Sequence, residues 1–93
     1  MKIFDWNEEK NLELKIKRNI SFEEIVIALN NGNLLDVIAH PNQIKYKGQK
    51  ILFVNINNYV FSVPFIEENN KIFLKTIYPD RKATKLYLGE NNE

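Results

Sequence analysis

Residues 20–34, ISFEEIVIALNNGNL, contain a helix start, a helix end and the beginning of a strand. Ser21 and Glu24 have the S-x-x-E spacing of a capping box, in which each side chain accepts from the other residue's backbone N–H at the helix start. Ile20 and Ile25 stand on either side of the box, at the positions of a hydrophobic staple. This pattern predicts that a helix begins directly after the serine.

The sequence also indicates where this helix ends. Asn30 and Asn31 are followed by Gly32, which accepts the positive φ favoured just beyond a helix C-terminus. We therefore predict a helix from Phe22 to about Asn30. From Leu34 onward, apolar residues recur with the two-residue period of strands.

This second part of the chain predicts an antiparallel meander. The predicted strands cover residues 34–40, 51–56, 59–66 and 71–78, and a hairpin through Lys45–Lys50 turns around Gly48. The turns at residues 57–58 and 68–70 are short and rich in asparagine, which tolerates left-handed backbone. Pro64 has no N–H to donate to a ladder, so we predict that its strand lies at a sheet edge or carries a bulge there.

The residues before the capping box predict a strand and a surface helix. The first six residues alternate enough for a short strand, and Asp5 or Asn7 can cap a helix that runs to about Arg18. Leu12 and Ile16 form a narrow apolar stripe among the charges of that helix. The many charges indicate that it lies at the surface.

These elements predict one α+β domain, residues 1–93, in which two N-terminal helices pack on one face of the sheet. Pro79 stops the last strand, and Asp80 caps a short C-terminal helix, Arg81–Leu88. The aromatic residues assigned to the core are Phe4, Trp6, Phe22, Phe53, Phe61, Phe65 and Phe73.

The composition excludes several classes of chemistry. The 93 residues contain no cysteine, which excludes disulfides, thiolate metal sites and cysteine nucleophiles, and fits a reducing cytosol. His40 is the one histidine, so the chain has no His-rich metal site and no Ser/His/Asp triad without it. No window approaches the roughly 18 apolar residues of a membrane span. We expect a cytoplasmic protein with no membrane contact, no metal and no cofactor.

The net charge of +1 conceals an uneven distribution. Residues 37–66 carry Lys45, Lys47 and Lys50 with no acidic residue, and residues 71–89 carry five basic side chains against one acidic side chain. Such a basic half attracts phosphates. The alternative is that these lysines keep a half-exposed sheet in solution.

Five segments carry a resemblance to a known family. They are FDWNEEKN (4–11), ISFEE (20–24), DVIAHPNQIKYKGQK (36–50), YVFSVPFIE (59–67) and FLKTIYPDRKATKLYL (73–88). In order and spacing they resemble the BrnT family of toxins from bacterial type II toxin–antitoxin modules, over nearly the whole chain. The resemblance implies a RelE-type fold, with two helices on a twisted antiparallel sheet, and a ribonuclease activity that inhibits translation.

The resemblance also implies a partner. A cognate antitoxin, commonly a ribbon-helix-helix DNA-binding protein, would neutralise the toxin and repress the operon, so operator DNA would be bound only through the antitoxin.

An alternative is a toxin-like protein without ribonuclease activity that acts as antitoxin partner or co-repressor. The low net charge favours this alternative, as does Lys17-Arg18-Asn19, where many family members have histidine or arginine before glycine. A plain nucleic-acid-binding domain is disfavoured by the lack of an RNP1 or GXXG motif.

Metal-independent RNA cleavage needs a group that positions the 2′-hydroxyl, cations for the phosphate and an acid for the leaving oxygen. The resemblance implies that Lys, Arg and Tyr fill these roles. We predict Arg81 as the phosphate clamp, because guanidinium binds two phosphate oxygens and this residue lies at a helix N-terminus. Lys85 lies one turn further on the same face, as a second phosphate contact. The alternatives are a surface salt bridge for Arg81 and a solvated lysine.

Three residues offer groups for proton transfer, and His40 and Tyr87 are the predicted candidates among them. His40 is one because imidazole ionises near neutrality, and its alternative role is a backbone hydrogen bond at a strand end. Tyr87 offers a hydroxyl donor and a ring on which a base can stack, as does Tyr78. The alternative for both tyrosines is packing in the core or at its rim.

Four further cations are candidates for RNA binding. Arg18 and Lys17 end the first helix, where the alternative is simple complementation of the helix dipole. Lys75 has the strand parity of Ile77, which predicts a position that lines a cleft. Lys82 belongs to the same basic segment as Arg81.

Overall fold

The computed structural model describes residues 3–89, which form three helices and six strands. In chain order these are β1 (Ile3–Trp6), α1 (Glu8–Arg18), α2 (Phe22–Asn30), β2 (Leu34–Ala39), β3 (Lys50–Ile56), β4 (Tyr59–Glu68), β5 (Lys71–Leu74), β6 (Tyr78–Pro79) and α3 (Arg81–Leu88). The α+β class and the three predicted helices are confirmed. Among the described residues, no helix has the length and apolar character needed to cross a membrane.

The local signals at helix ends form as predicted. The Ser21 Oγ accepts from the backbone N–H of Glu24 (3.3 Å), and a Glu24 carboxylate oxygen accepts from the backbone N–H of Ser21 (3.0 Å). Gly32, just beyond α2, has φ +79°. Asn7 caps α1, and Asn19 follows that helix in the left-handed conformation at φ 55°. These contacts join residues close in sequence, which is why the sequence predicts them.

The sheet is mixed, which corrects the predicted antiparallel sheet. Its strand order is β1-β5-β4-β3-β2, and β6 also pairs with β4. The strands from β2 to β5 form antiparallel pairs, but β1 runs parallel to β5, with Ile3 opposite Lys71. The alternation of side chains along β1 carries no information about strand direction, so the sequence pattern did not distinguish the two arrangements.

Pro64 lies in the central strand β4 and not at a sheet edge, and the irregular pairing predicted there occurs only on the side of β5 and β6, where the register shifts by one residue. Pro64 pairs with Ile51 in an uninterrupted register. On the other side of β4, however, β5 ends at Leu74 and β6 begins at Tyr78, so the predicted strand 71–78 is two short strands. The Pro64 carbonyl accepts from the Lys75 backbone N–H across this gap (2.8 Å). Because the nitrogen and carbonyl of one strand residue point to the same side, the ring nitrogen faces the gap, where no ladder donor is needed.

The sheet is covered on both faces, whereas the sequence predicted helices on one face. The first core cluster lies between α1, α2 and the sheet and includes Phe22 and Phe65. The second lies under α3 and includes Phe53, Val60 and Ala83. Phe53 therefore packs against the C-terminal helix, since neighbouring strand residues point to opposite faces. Phe73, also assigned to the core, belongs to neither cluster.

The inner face of α1 differs from the predicted apolar stripe. Leu12 and Ile16 are 59% and 76% exposed, and Asn11 and Leu14 are buried instead. The Asn11 side chain accepts from the backbone N–H of Phe22 (2.8 Å) and donates to Glu23 (2.9 Å). A buried amide thus joins the two N-terminal helices, and the apolar stripe faces solvent.

We expect Asn11→Ala to lower the free energy of unfolding by about 1–3 kcal/mol, because it leaves the buried Phe22 N–H without an acceptor. Urea denaturation measures this loss. Asn30→Ala, at the exposed end of α2, is the control and should change stability by less than about 0.5 kcal/mol. Equal losses in the two variants would show that the buried amide has no special role.

Candidate functional site

The candidate site is a cavity of about 390 Å³ at the gap between β5 and β6, named here the Pro64 cavity. Its lining residues are Lys10, His40, Tyr46, Gln49, Pro64, Lys75, Thr76 and Tyr78. They come from α1, from the segment between β2 and β3, from β4, from the segment joining β5 to β6, and from β6 itself. The cavity therefore combines cations, an imidazole and two phenols from distant parts of the chain.

Another cavity, of about 320 Å³, is less suited to chemistry. It lies over the first core cluster and is lined mainly by apolar side chains such as Leu29, Leu34 and Phe65. Its two charged residues, Lys50 and Glu67, approach each other at 4.0 Å. This cavity offers packing surface, whereas the Pro64 cavity offers donors and positive charge.

His40 directly follows β2 and lines the Pro64 cavity. Its Nδ1 accepts from the Asn42 backbone N–H (3.0 Å), so the neutral ring carries its hydrogen on Nε2. Its ring lies 4.3 Å from that of Tyr46, with 34° between the planes. The interpretation of His40 as a histidine bonded to backbone at a strand end is confirmed, and the same residue lines the cavity.

The segment 41–49 turns around Gly48, as predicted, and Gln43 holds it together. The Gln43 amide nitrogen donates to the carbonyls of His40 (2.8 Å) and Gln49 (3.2 Å), and its oxygen accepts from the Gly48 N–H (3.0 Å). Gly48 has φ +79°. One side chain thus fixes the loop that places Tyr46 beside His40.

Two lysines bring positive charge to the cavity. Lys75 is exposed, and its Nζ lies 5.6 Å from the centre of the Phe73 ring. Lys10 pairs with Glu13 at 3.4 Å. Lys75 lines a cleft as predicted; the strand ends at Leu74, and beyond it Lys75 is exposed while Ile77 is buried. Two ammonium groups at one cavity favour an anionic ligand.

Tyr78 adds a hydroxyl that stays protonated at neutral pH. Burial raises the pKa of its phenol, and the nearby Asp80 and Tyr46 raise it further. A phenol with a raised pKa is a hydrogen-bond donor rather than a base.

The predicted phosphate clamp lies elsewhere. Arg81, Lys82 and Lys85 are exposed on α3, and none of them lines the Pro64 cavity. The Asp80 carboxylate occupies the helix N-terminus, where it accepts from the Ala83 N–H (2.9 Å) and the Ser62 hydroxyl (2.7 Å). A carboxylate already complements the positive end of this helix dipole, which weakens the position as an anion site.

Tyr87 is not brought together with His40. Its hydroxyl donates to the Asp36 carboxylate (2.6 Å), and its ring lies 5.4 Å from that of Phe53. This hydrogen bond is the main cause that raises the pKa of Tyr87 and lowers that of Asp36. The contact joins α3 to β2, and sequence analysis gave no sign of the Asp36 partner.

The cations at the end of α1 have local partners. The Arg18 guanidinium donates to the Ile77 carbonyl (2.5 Å), in the segment joining β5 to β6, and Lys17 pairs with Glu13 (2.9 Å). Arg18 thus holds the segment 75–77, which carries Lys75 and leads into Tyr78 at the start of β6. Sequence analysis missed Lys10, Tyr46, Gln49 and Thr76 as lining residues. For Tyr46 the available signal was its place in a lysine-containing loop without acidic residues.

Among residues 3–89, no group of three His, Cys, Asp or Glu side chains is placed to hold a metal ion. In comparisons with known proteins, no family model, no curated protein and no solved structure matches the chain. The proposed function therefore depends on the residues of the Pro64 cavity and on the five sequence segments that carry the family resemblance.

Tyr87→Phe tests the link between α3 and β2. The variant should raise the pKa of Asp36 toward the ordinary carboxyl value of about 3.9, because the largest cause of its lowering is removed. Because the pKa of the Asp36 carboxyl is lower in the folded than in the unfolded state, its charged form stabilises the fold at pH values above the unfolded-state pKa. This stabilisation is lost as the pH falls through the folded-state pKa. The stability difference between wild type and variant should therefore shrink in acid.

A ¹³C NMR titration of Asp36, with urea unfolding at neutral and acidic pH, measures both effects. Tyr46→Phe, whose residue lies beside His40 instead, is the control and should leave the Asp36 titration unchanged. An unchanged Asp36 titration in Tyr87→Phe would contradict the assignment.

Proposed function

We propose that this protein is a BrnT-like ribonuclease toxin of a type II toxin–antitoxin module, with a RelE-type fold, and that it cleaves RNA in the Pro64 cavity. The observation that carries the proposal is that Lys10, Lys75, His40 and Tyr78 line one cavity. Cations, an imidazole and a phenol together suit a phosphodiester. The protein acts in the cytoplasm and is neutralised by its cognate antitoxin.

In the proposed reaction, the 2′-oxygen attacks the adjacent phosphorus as its proton passes to solvent water, and the bond from phosphorus to the 5′-oxygen breaks, which leaves a 2′,3′-cyclic phosphate. Lys10 and Lys75 stabilise the negative charge that develops on the phosphate oxygens. The Tyr78 hydroxyl donates toward the leaving 5′-oxygen, which takes up a proton as the bond breaks. These three residues all line the cavity.

His40 acts as a hydrogen-bond donor in this scheme. While Asn42 donates to Nδ1, the neutral ring holds its hydrogen on Nε2, so that nitrogen donates to a phosphate oxygen and accepts no proton. A histidine base would require loss of the Asn42 hydrogen bond. The rate enhancement therefore comes from charge stabilisation and positioning.

The cations outside the cavity have a supporting role. Arg81, Lys82 and Lys85 are exposed on α3, which begins three residues after Tyr78 along the chain. We propose that they bind phosphates of the flanking strand, where exposed cations contribute affinity without base specificity. Arg18 contributes by holding the Ile77 carbonyl.

The alternative function is a toxin-like antitoxin partner that does not cleave RNA. Two observations favour it: the Nδ1 of His40 is engaged with backbone, and Asp80 places a carboxylate beside Arg81. Such a protein would bind the same antitoxin and act as co-repressor. Growth arrest on expression without antitoxin distinguishes the two functions.

We expect the purified protein to cleave RNA in excess EDTA, because the proposed chemistry uses lysine, histidine and tyrosine alone. Gel analysis of a single-stranded RNA, with and without EDTA, measures this. Activity that disappears with the chelator and returns with magnesium would contradict the proposal.

We expect Lys75→Ala and His40→Ala each to lower kcat/KM by roughly 30- to 1000-fold. This is the effect expected when the loss of one preorganised donor removes about 2–4 kcal/mol of transition-state stabilisation. His40→Gln should retain more activity than His40→Ala, because its amide still donates. Lys71→Ala, which removes an exposed partner of Asp5, is the matched control and should retain activity.

Arg81→Ala in the same assay decides between the two phosphate sites. We expect a smaller loss than in Lys75→Ala, because Arg81 does not line the cavity. A folded Arg81→Ala variant that loses more activity than both cavity variants would place the scissile phosphate at α3 instead.

A further inference from the structure

The loop 41–49, PNQIKYKGQ, lies beside the Pro64 cavity and has an unusual surface. Ile44 at its tip is 99% exposed, and Lys45 and Lys47 follow it with no acidic residue in the loop. A single exposed apolar residue needs no explanation by itself. Its combination with two lysines, beside the candidate site, does point to a ligand.

The loop holds this surface in one shape. The Asn42 side chain accepts from the Lys45 N–H (3.1 Å), and the Asn42 carbonyl accepts from the Tyr46 N–H (2.9 Å). The Tyr46 carbonyl in turn accepts from Gln49 N–H (3.0 Å). A preordered loop loses little entropy when it binds.

Tyr46 connects the loop to the cavity. It lines the cavity and packs on His40, and the Nζ of Lys45 lies 5.3 Å from the centre of the tyrosine ring. Ile44 and Lys47 lie within two residues of Tyr46 in the same loop, outside the cavity lining itself. A strand whose phosphate lies in the cavity would pass over them.

We infer that this loop binds an unpaired RNA strand and selects which nucleotide enters the cavity. This inference rests on the proposed function. Lys45 and Lys47 bind phosphates, and Ile44 packs against a base that flanks the cleaved linkage. An apolar side chain reaches the face of a base only where the base is unstacked, as in single strands. The absence of acidic residues in the loop favours a polyanion over a protein partner.

Binding of a 2′-O-methyl RNA, which lacks the attacking hydroxyl, tests the loop separately from cleavage. Fluorescence anisotropy should show that Ile44→Ser weakens binding roughly five-fold, since part of one apolar side chain loses its contact. Ile16→Ser, at a residue that is also largely exposed on α1, is the control and should bind like wild type. Ile44→Trp should bind at least as well, because a larger ring stacks on bases.

Lys45→Ala with Lys47→Ala should reduce the slope of log affinity against log salt by about 1.4, or about 0.7 for each phosphate contact. A duplex of the same sequence should bind more weakly than the single strand. Unchanged binding in Ile44→Ser, unchanged salt slope in the lysine variant, or preference for the duplex would each overturn the inference.

The outcomes separate this inference from the proposed function. If wild type binds RNA and the variants bind it more weakly as expected, but wild type cleaves no RNA, the ribonuclease proposal fails and the inferred RNA binding by the loop is supported. If wild type cleaves RNA and Ile44→Ser cleaves at the same positions and rate, the inferred role of the loop is overturned and the ribonuclease proposal is not affected. Absence of RNA binding by wild type overturns both.

Discussion

The missing N–H of Pro64 is the constraint on which the layout of the site depends. A proline in a central strand is compatible with the sheet only where the neighbouring strand demands no donor, and here β5 ends and β6 begins opposite it. The Lys75 N–H uses the proline carbonyl, which anchors the segment between the two strands. The gap becomes a cavity lined by polar side chains rather than a continuous ladder.

The two walls of the cavity are fixed by separate hydrogen bonds. On one side, Gln43 closes the loop that stacks Tyr46 on His40. On the other, Arg18 reaches from the end of α1 to the Ile77 carbonyl and holds the segment that carries Lys75. Neither wall depends on a long-range salt bridge between exposed side chains, which would contribute little.

Two groups of basic residues have different surroundings. Those at the cavity lie beside an imidazole and phenols, whereas Arg81, Lys82 and Lys85 lie on a helix whose N-terminus is satisfied by Asp80. The same helix is attached to the sheet through Tyr87 and Asp36. The proposed chemistry follows the first group because donors and cations converge at the Pro64 cavity.

The sequence by itself determined the elements whose contacts are local. The capping box at Ser21, the turn at Asn57 and Asn58 with φ 55° and 64°, and the Asp80 cap each join residues within a few positions of one another. Tertiary structure alone decided the rest: the parallel pairing of β1, the outward position of Leu12 and the covering of the second sheet face by α3. It also brought His40 and Lys75 to one cavity, because the partners of a strand or a helix face are chosen by long-range packing, which a periodic pattern does not encode.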